Sequence, residues 1–330
     1  MITNRKNIVS RIFTRENVLG LIVLGFFIVL SVFTNFNSDA GLASYFKEVA
    51  YLLMAAAALT LIIITGNIDI SAGTLMGMCG YAAGYAAKLG APFYIFIPVA
   101  VVTGVIFAGV NGIIVTKFKV PSLVATLAMV NVHLGIYTLL PSGGWVENLQ
   151  DNFTTLGSTV YFGFLPLILI LSIMLFAVML YIMKNSRFIK KLYAVGGNKN
   201  AAVLVGVDPD KVVMNTFLIE GILIGIASIF FYTTKSIVQA NSTFGMEMTF
   251  ITAVVVGGTS IAGGSGKLMG TAYGVLLLAM IKRAMILFQL QDYYSYAVQG
   301  VIIIAAVLLT FVEFGGNKKE ALAETVKEGK

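Results

Sequence analysis

Charged residues are spaced so widely along this chain that the gaps between them constrain its architecture. No Asp, Glu, Lys or Arg occurs in 17–38, 49–68, 89–116, 120–146, 152–183 or 293–312, and each of these stretches is mostly apolar. A helix rises about 1.5 Å per residue, so roughly 20 apolar residues cross the hydrocarbon layer of a bilayer. The gaps have that length. Of the 330 residues, 58% are hydrophobic and 11% charged, against roughly 25% charged in soluble domains. With 22 basic and 15 acidic side chains, a water-soluble surface of this size cannot be built. The apolar surplus also excludes an intrinsically disordered chain, which fails to fold because it has too little to bury.

The expectation is therefore an all-α polytopic membrane protein of about ten transmembrane helices, some of them short or broken at Gly-rich segments. The charges place spans at 18–34, 49–65, 72–87, within 89–116, from 120 to about 140, and at 161–183, 212–233, 248–261, 268–287 and 294–314. This divides the chain into an N-tail (1–17), a membrane domain (18–314) and a polar C-tail (315–330). Arg5, Lys6, Arg11 and Arg15 precede the first apolar run as in a signal peptide, but no small-residue cleavage site is evident and further spans follow. That run reads as a retained first span.

The net charge of +7 would suggest a nucleic-acid partner in a soluble protein. In a membrane protein it reports basic cytoplasmic loops. With an even number of spans and both termini inside, 17 of the 22 basic residues fall on the cytoplasmic side and 5 (Lys47, Lys88, Lys235, Lys282, Arg283) outside. The same topology makes 141–159, which lacks Lys and Arg, a long outer loop, and 184–211 a basic inner one. Within the inner loop, 194–208 is rich in small residues and is expected to form a short helix along the membrane. A single cysteine (Cys79) excludes an internal disulfide and a Cys-based metal cluster, and a single histidine (His133) removes most metal sites, so none is expected. No cofactor is implied.

Three features carry the chemistry. The first is Gly66-Asn67-Ile68-Asp69-Ile70-Ser71-Ala72-Gly73, which sets a carboxylate between two apolar runs, where it must face water, a partner or a cavity. Asn67, Asp69 and Ser71 read either as a helix break turned toward a translocation path, or as a turn in which Asp69 or Ser71 caps the following helix. The second is the block that opens on Glu247, a further candidate for the path or a helix break, and runs to Gly270, with Gly257-Gly258-Thr259-Ser260-Ile261-Ala262-Gly263-Gly264-Ser265-Gly266-Lys267 at its centre. A phosphate loop needs Gly, four residues, then Gly-Lys-Ser/Thr; here Ile261 and Leu268 stand at the two decisive positions, so no nucleotide site is present. Gly73-Thr74-Leu75-Met76-Gly77 and Gly266-Lys267-Leu268-Met269-Gly270 form a faint internal echo, of the kind seen where transporters break helices in two corresponding halves. The third is a set of isolated polar residues within apolar spans: Asn111, Asn131, His133 and Glu220. These read as path residues, with His133 or Glu220 as proton relays, or as simple interhelical hydrogen-bonders or interfacial residues. Lys282 and Arg283 read as snorkelling from a shorter helix.

Four stretches, in order, resemble the permeases of ribose-type ATP-binding-cassette importers. They are Gly66–Gly73, then Lys119-Val120-Pro121-Ser122-Leu123-Val124-Ala125-Thr126-Leu127, then Ala194-Val195-Gly196-Gly197-Asn198 with Ala201-Ala202 and Gly206-Val207, then the 247–270 block. The likeness covers roughly 49 to 311. Asn67-Ile68-Asp69 with Gly77-Met78-Cys79, and Gly143-Gly144-Trp145-Val146-Glu147, are most similar to the autoinducer-2 branch. One departure is visible: many relatives carry Arg-Gly where this chain has Leu134-Gly135, which puts in doubt any polar contact that the Arg makes elsewhere.

The resemblance implies no catalytic residues. It implies a bacterial inner-membrane transport subunit with a second permease chain, two cytoplasmic ATPase subunits and an extracytoplasmic binding protein that delivers a monosaccharide-like solute. It also assigns 194–208, with Gly196, Gly197, Asn198, Ala201, Ala202, Gly206, Val207 and Asp208, as the segment that docks on the ATPase. The competing class is a proton-coupled secondary sugar transporter, which would need Asp69 or Glu220 on its path. An intramembrane hydrolase lacks a nucleophile–base pair. A cytoplasm-active reporter fused to Lys330 is expected to be active, and strong labelling of that end from outside the cell would overturn the inside assignment.

Overall fold

The computed structural model describes residues 15–291 and seven positions between 294 and 304. The terminal tails up to residue 14 and from 315 on, together with most of the tenth expected span, lie outside the described residues. Helices dominate: α1 (Arg15–Phe33), α2 (Asp39–Ile64), α3 (Ala72–Lys88), α4 (Phe93–Thr116), α5 (Ser122–Leu139), α6 (Asp151–Ser158), α7 (Leu167–Asn185), α8 (Arg187–Gly197), α9 (Lys199–Leu204), α10 (Pro209–Tyr232), α11 (Met246–Val256) and α12 (Leu268–Leu287). Among the described residues six of these, α2, α4, α5, α7, α10 and α12, are long and apolar enough to cross a membrane. The protein is an all-α polytopic membrane protein.

α2 is the central post. From Val49 to Ile64 every residue is buried, and α7, α10, α11 and α12 pack around it. Polar links tie those helices to it: Ser172 of α7 donates to the Ala50 carbonyl (2.8 Å), and Thr60 meets Thr271 of α12 at 2.8 Å. The outer faces are greasy. Leu21 on α1, Ile106 on α4, Met174 on α7 and Val132 on α5 are exposed, an arrangement a bilayer tolerates and water does not.

Two boundaries differ from the sequence reading. α2 begins ten residues before the expected span, at Asp39, because Ser38 accepts from the Gly41 amide (3.1 Å) and caps it. Of the charges it thereby includes, Glu48 is neutralised within the bundle. Glu48 accepts from Lys282 of α12 (2.8 Å) and from the Tyr51 hydroxyl (3.2 Å), so Lys282 is an ion-pair partner across two helices and does not snorkel from a shortened one. α11 has only eleven residues before it stops at Gly257, shorter than a span needs.

The two ends of α10 mark opposite ends of the bundle. At its C-terminal end, β1 (Trp145–Val146) pairs antiparallel with β4 (Val238–Gln239), and Gly157 of α6 sits directly on the backbone of Thr233. The 141–159 loop is thus a folded cover. A second hairpin, β2 (Val160–Tyr161) with β3 (Leu165–Pro166), leads into α7. At the N-terminal end of α10 lie α8 and α9.

α4 and α10 form the closest helix pair, because small residues let their backbones touch. A Cβ added to Gly221 would lie 2.4 Å from the Gly104 carbonyl oxygen, and one on Gly225 2.7 Å from the Val101 Cα. Neither obstacle is a movable side-chain tip. Gly221→Val should force the two helices apart, and overpacking of this kind costs about 1–3 kcal/mol. Thermal unfolding of the detergent-solubilised protein should register that loss, whereas Leu21→Val on the exposed face of α1 should leave the midpoint unchanged.

Candidate functional site

The break between α2 and α3 is built from the backbone outward. α2 ends at Ile64, Thr65 returns its hydroxyl to the Ile62 carbonyl (2.6 Å), and Gly66 turns the chain at φ +77°, a conformation that costs glycine nothing. Residues 67–70 then run without helical hydrogen bonds between two apolar helices. Backbone at such a place must find partners within the protein, and α5 supplies them. Ser122 accepts from the Ile68 amide (3.1 Å), and Thr126, one turn on, accepts from the Ile70 amide (3.1 Å). That i, i+4 pair lies within the Lys119–Leu127 stretch.

Asp69 closes the break. Its Oδ1 accepts from both the amide and the hydroxyl of Ser71, each at 2.6 Å. Asn111 of α4 donates its Nδ2 to Asp69 Oδ2 (3.0 Å) and to the Ser71 hydroxyl (2.8 Å). Asp69, Ser71 and Asn111 are fully buried. Ser71 holds the cap position of α3 without a side-chain capping bond, so Asp69 binds its neighbour and does not cap the helix proper. The Glu220 carboxyl, equally buried in α10, lies against Asp69. Asn67 donates to Thr65 (2.8 Å).

The first turn of α3 is gripped from two further sides. Thr74 meets His133 Nδ1 (2.9 Å), and the Tyr137 hydroxyl donates to the Thr74 carbonyl. Glu247, at the start of α11, accepts from the Gly245 amide (3.0 Å) and presses its carboxylate against Gly73, where a Cβ would collide with it. Of the expected path residues, Asn67, Asp69, Ser71, Asn111 and Glu247 therefore converge on this break. Asn131 does not: it is exposed and donates to Leu127 of its own helix (3.2 Å). Sequence reasoning missed Ser122, Thr126, Thr74 and Tyr137, whose roles depend on which way α5 and α3 face.

The 194–208 segment forms two helices and not one. Asn198 interrupts them, and its Oδ1 caps α9 by accepting from the Ala201 amide (3.0 Å). Ile189, Leu192 and Val195 hold α8 to the bundle, and Ala202 is buried with them. Ala202 is thus part of the protein's own packing. Ala201, Asn198, Gly197, Gly206 and Asp208 are exposed, and Val203, Leu204 and Val205 project at 56%, 88% and 75% exposure. Asp208 caps α10, and the Lys211 amide holds its carboxyl below the usual carboxylate range, with the Lys211 side chain assisting. Among the described residues no cluster of His, Cys, Asp or Glu is placed to hold a metal.

Residues 41–307 match the family described as branched-chain amino acid transport system, permease component. The chain belongs to this permease family. It is 30% identical over 310 residues to the ribose import permease protein RbsC of Haemophilus influenzae, covering 92% of this chain and 94% of the relative. It is 29% identical over 317 residues to the autoinducer 2 import system permease protein LsrC of Yersinia pseudotuberculosis (serotype O:3), covering 96% and 89%, and equally to LsrC of Yersinia pestis strain Angola. No solved structure matches.

Membership makes the permease a transport subunit of an ATP-binding-cassette importer, not an enzyme. ATP hydrolysis resides on a separate ATPase, and a solute-binding protein is a further partner. It is a multi-pass protein of the inner membrane. In such a subunit the break clamp should matter more than any single exposed polar group. Asn111→Leu removes two donors from a buried carboxylate site, where hydrogen bonds to charged groups are worth about 1.5–3 kcal/mol. It should lower both thermal stability and uptake. Asn131→Leu, on the exposed face of α5, should shift stability by no more than about 0.5 kcal/mol.

Proposed function

We propose that this permease moves a monosaccharide-like solute, of the class for which its ribose and autoinducer-2 relatives are named. It pairs with a second permease chain, identical or paralogous, and docks two cytoplasmic ATPase subunits through the α8–α9 segment. In this reading α1, α3, the 294–314 stretch and α11, the last as a short segment broken at its Gly-rich end, join the six long helices to give about ten spans, with a membrane domain at 18–314 and tails at 1–17 and 315–330. Both termini are cytoplasmic, in keeping with the basic residues that crowd 184–211. Asn67, Asp69, Ser71, Asn111 and Glu247 act as the hardware of the break beside the path.

The observation that carries the docking proposal is the tip formed by Val203, Leu204 and Val205. These three apolar side chains stand out from the buried Ala202, with Lys199 and Lys211 on either side in the sequence. A short apolar helix flanked by charge suits a groove on a soluble partner. Full burial of a Leu side chain is worth about 1.5–3 kcal/mol, and each 1.4 kcal/mol is about tenfold in affinity. Leu204→Glu should therefore weaken ATPase docking by at least about tenfold. The ATPase should be lost on co-purification while the permease itself accumulates normally, because the tip touches little of its own chain. Normal co-purification with that variant would show that this tip is not the docking element.

A further inference from the structure

The docking segment meets both helix breaks at one point, and it does so through bare backbone. The Gly264 amide donates to the carbonyl of Ile64, the last residue of α2, at 2.9 Å. Gly196, in the last turn of α8, lies directly on that hydrogen bond: a Cβ there would stand 1.7 Å from the Ile64 oxygen and 2.7 Å from the Gly264 nitrogen. Gly263, at φ +86°, would meet the Gly66 amide at 2.7 Å and the Gly196 oxygen at 3.0 Å, and Gly264 would meet the Gly197 Cα at 2.7 Å. Tyr193, one turn earlier in α8, donates its hydroxyl to the Gly266 carbonyl at 2.6 Å.

We propose that this contact of Gly196 with Ile64 and Gly264, braced by Tyr193, is the positioning element through which a displacement of the docking segment reaches the 65–71 and 257–267 breaks together. The inference rests on the importer reading above and adds to it the route from the partner to the membrane helices. The physical reason is stiffness. A side chain between two elements can absorb a shift by changing rotamer, whereas opposed backbones in close packing have nothing to yield and pass the shift on. α8 moves as a unit because Ile189, Leu192 and Val195 anchor it. Beyond the contact, Gly66 leads within three residues to the Asp69–Ser71–Asn111 clamp. On the other side, Gly257 and Gly270 touch backbone to backbone and join α11 to α12.

The test needs no knowledge of the solute. The protein's one cysteine, Cys79, is fully buried, so a cysteine introduced by Ile68→Cys at the first break, or Ala262→Cys at the second, gives a clean maleimide-labelling signal in the assembled permease–ATPase complex. Adding ATP with vanadate should change the labelling rate at both positions several-fold. Combined with Gly196→Ala, the response at both positions should vanish while the ATPase still co-purifies in normal amounts. A response that persists with Gly196→Ala, or one that never appears without it, would overturn the inference, as would loss of the ATPase from the variant, which would place Gly196 in docking alone. If Gly196→Ala does not accumulate, Tyr193→Phe decides. It removes only the hydroxyl on Gly266 and should cut the response at least twofold, and an unchanged response refutes the route. Failure of the unmodified permease to retain any ATPase would refute the importer reading itself, and this inference with it.

Discussion

The structure depends on satisfying backbone that is not helical yet lies between apolar helices. Each unmade hydrogen bond in such surroundings costs several kcal/mol, so an interrupted helix survives only if neighbours supply the missing partners. The 65–71 break draws on Ser122 and Thr126 of α5 for its amides. The 257–267 segment closes on itself, with the Ser260 amide donating to the Ser265 carbonyl, and on the end of α2. The arrangement of α4, α5 and α10 around the first break follows from that requirement. Asn111 must come from α4 to reach Asp69, and α5 must lie with its Ser122–Thr126 face inward.

Close approach is the second theme, and glycine is its means. The α4–α10 pair, the α11–α12 pair and the α8 junction all bring carbonyl oxygens to positions where a Cβ would overlap them. In a bilayer, where apolar contact between helices gains little over contact with lipid, such packing and the occasional interhelical hydrogen bond are what hold a bundle together. The two layers serve different ends. The α4–α10 contact is a long seam that fixes the bundle, whereas the contact at Gly196 is a single point at its edge.

The buried polar residues divide by what surrounds them. Glu48 and Lys282 cancel each other across α2 and α12, which lets charged residues sit within long apolar helices. Asp69 gathers three donors from two residues and Glu220 lies beside it, so the two carboxyls from which a proton-coupled mechanism would have had to draw are buried against each other within one chain. Their burial is what a structural clamp needs, in agreement with the relatives' place in ATP-driven import.

The apolar runs, the helical class, the lack of a phosphate-loop motif, and the helix breaks at 66–73 and within 247–270 were legible in the amino-acid sequence. Each depends on local composition: run length sets whether a helix can span, and a Gly-rich or Asn-Asp-Ser stretch breaks a helix wherever it falls. What only the tertiary structure decided is direction. Asn111 and Asn131 look alike in sequence, yet one points at Asp69 and the other away from the bundle, because rotation about the helix axis is set by neighbours far along the chain. The same holds for Ala201, exposed, and Ala202, buried one residue later. Lys282 read as a charge escaping toward solvent until α2 brought Glu48 beside it, some 230 residues distant in sequence. The meeting of Ile64, Gly196 and Gly264 was likewise hidden, since a contact between backbones leaves only the absence of side chains as its trace, and glycine is common throughout this chain.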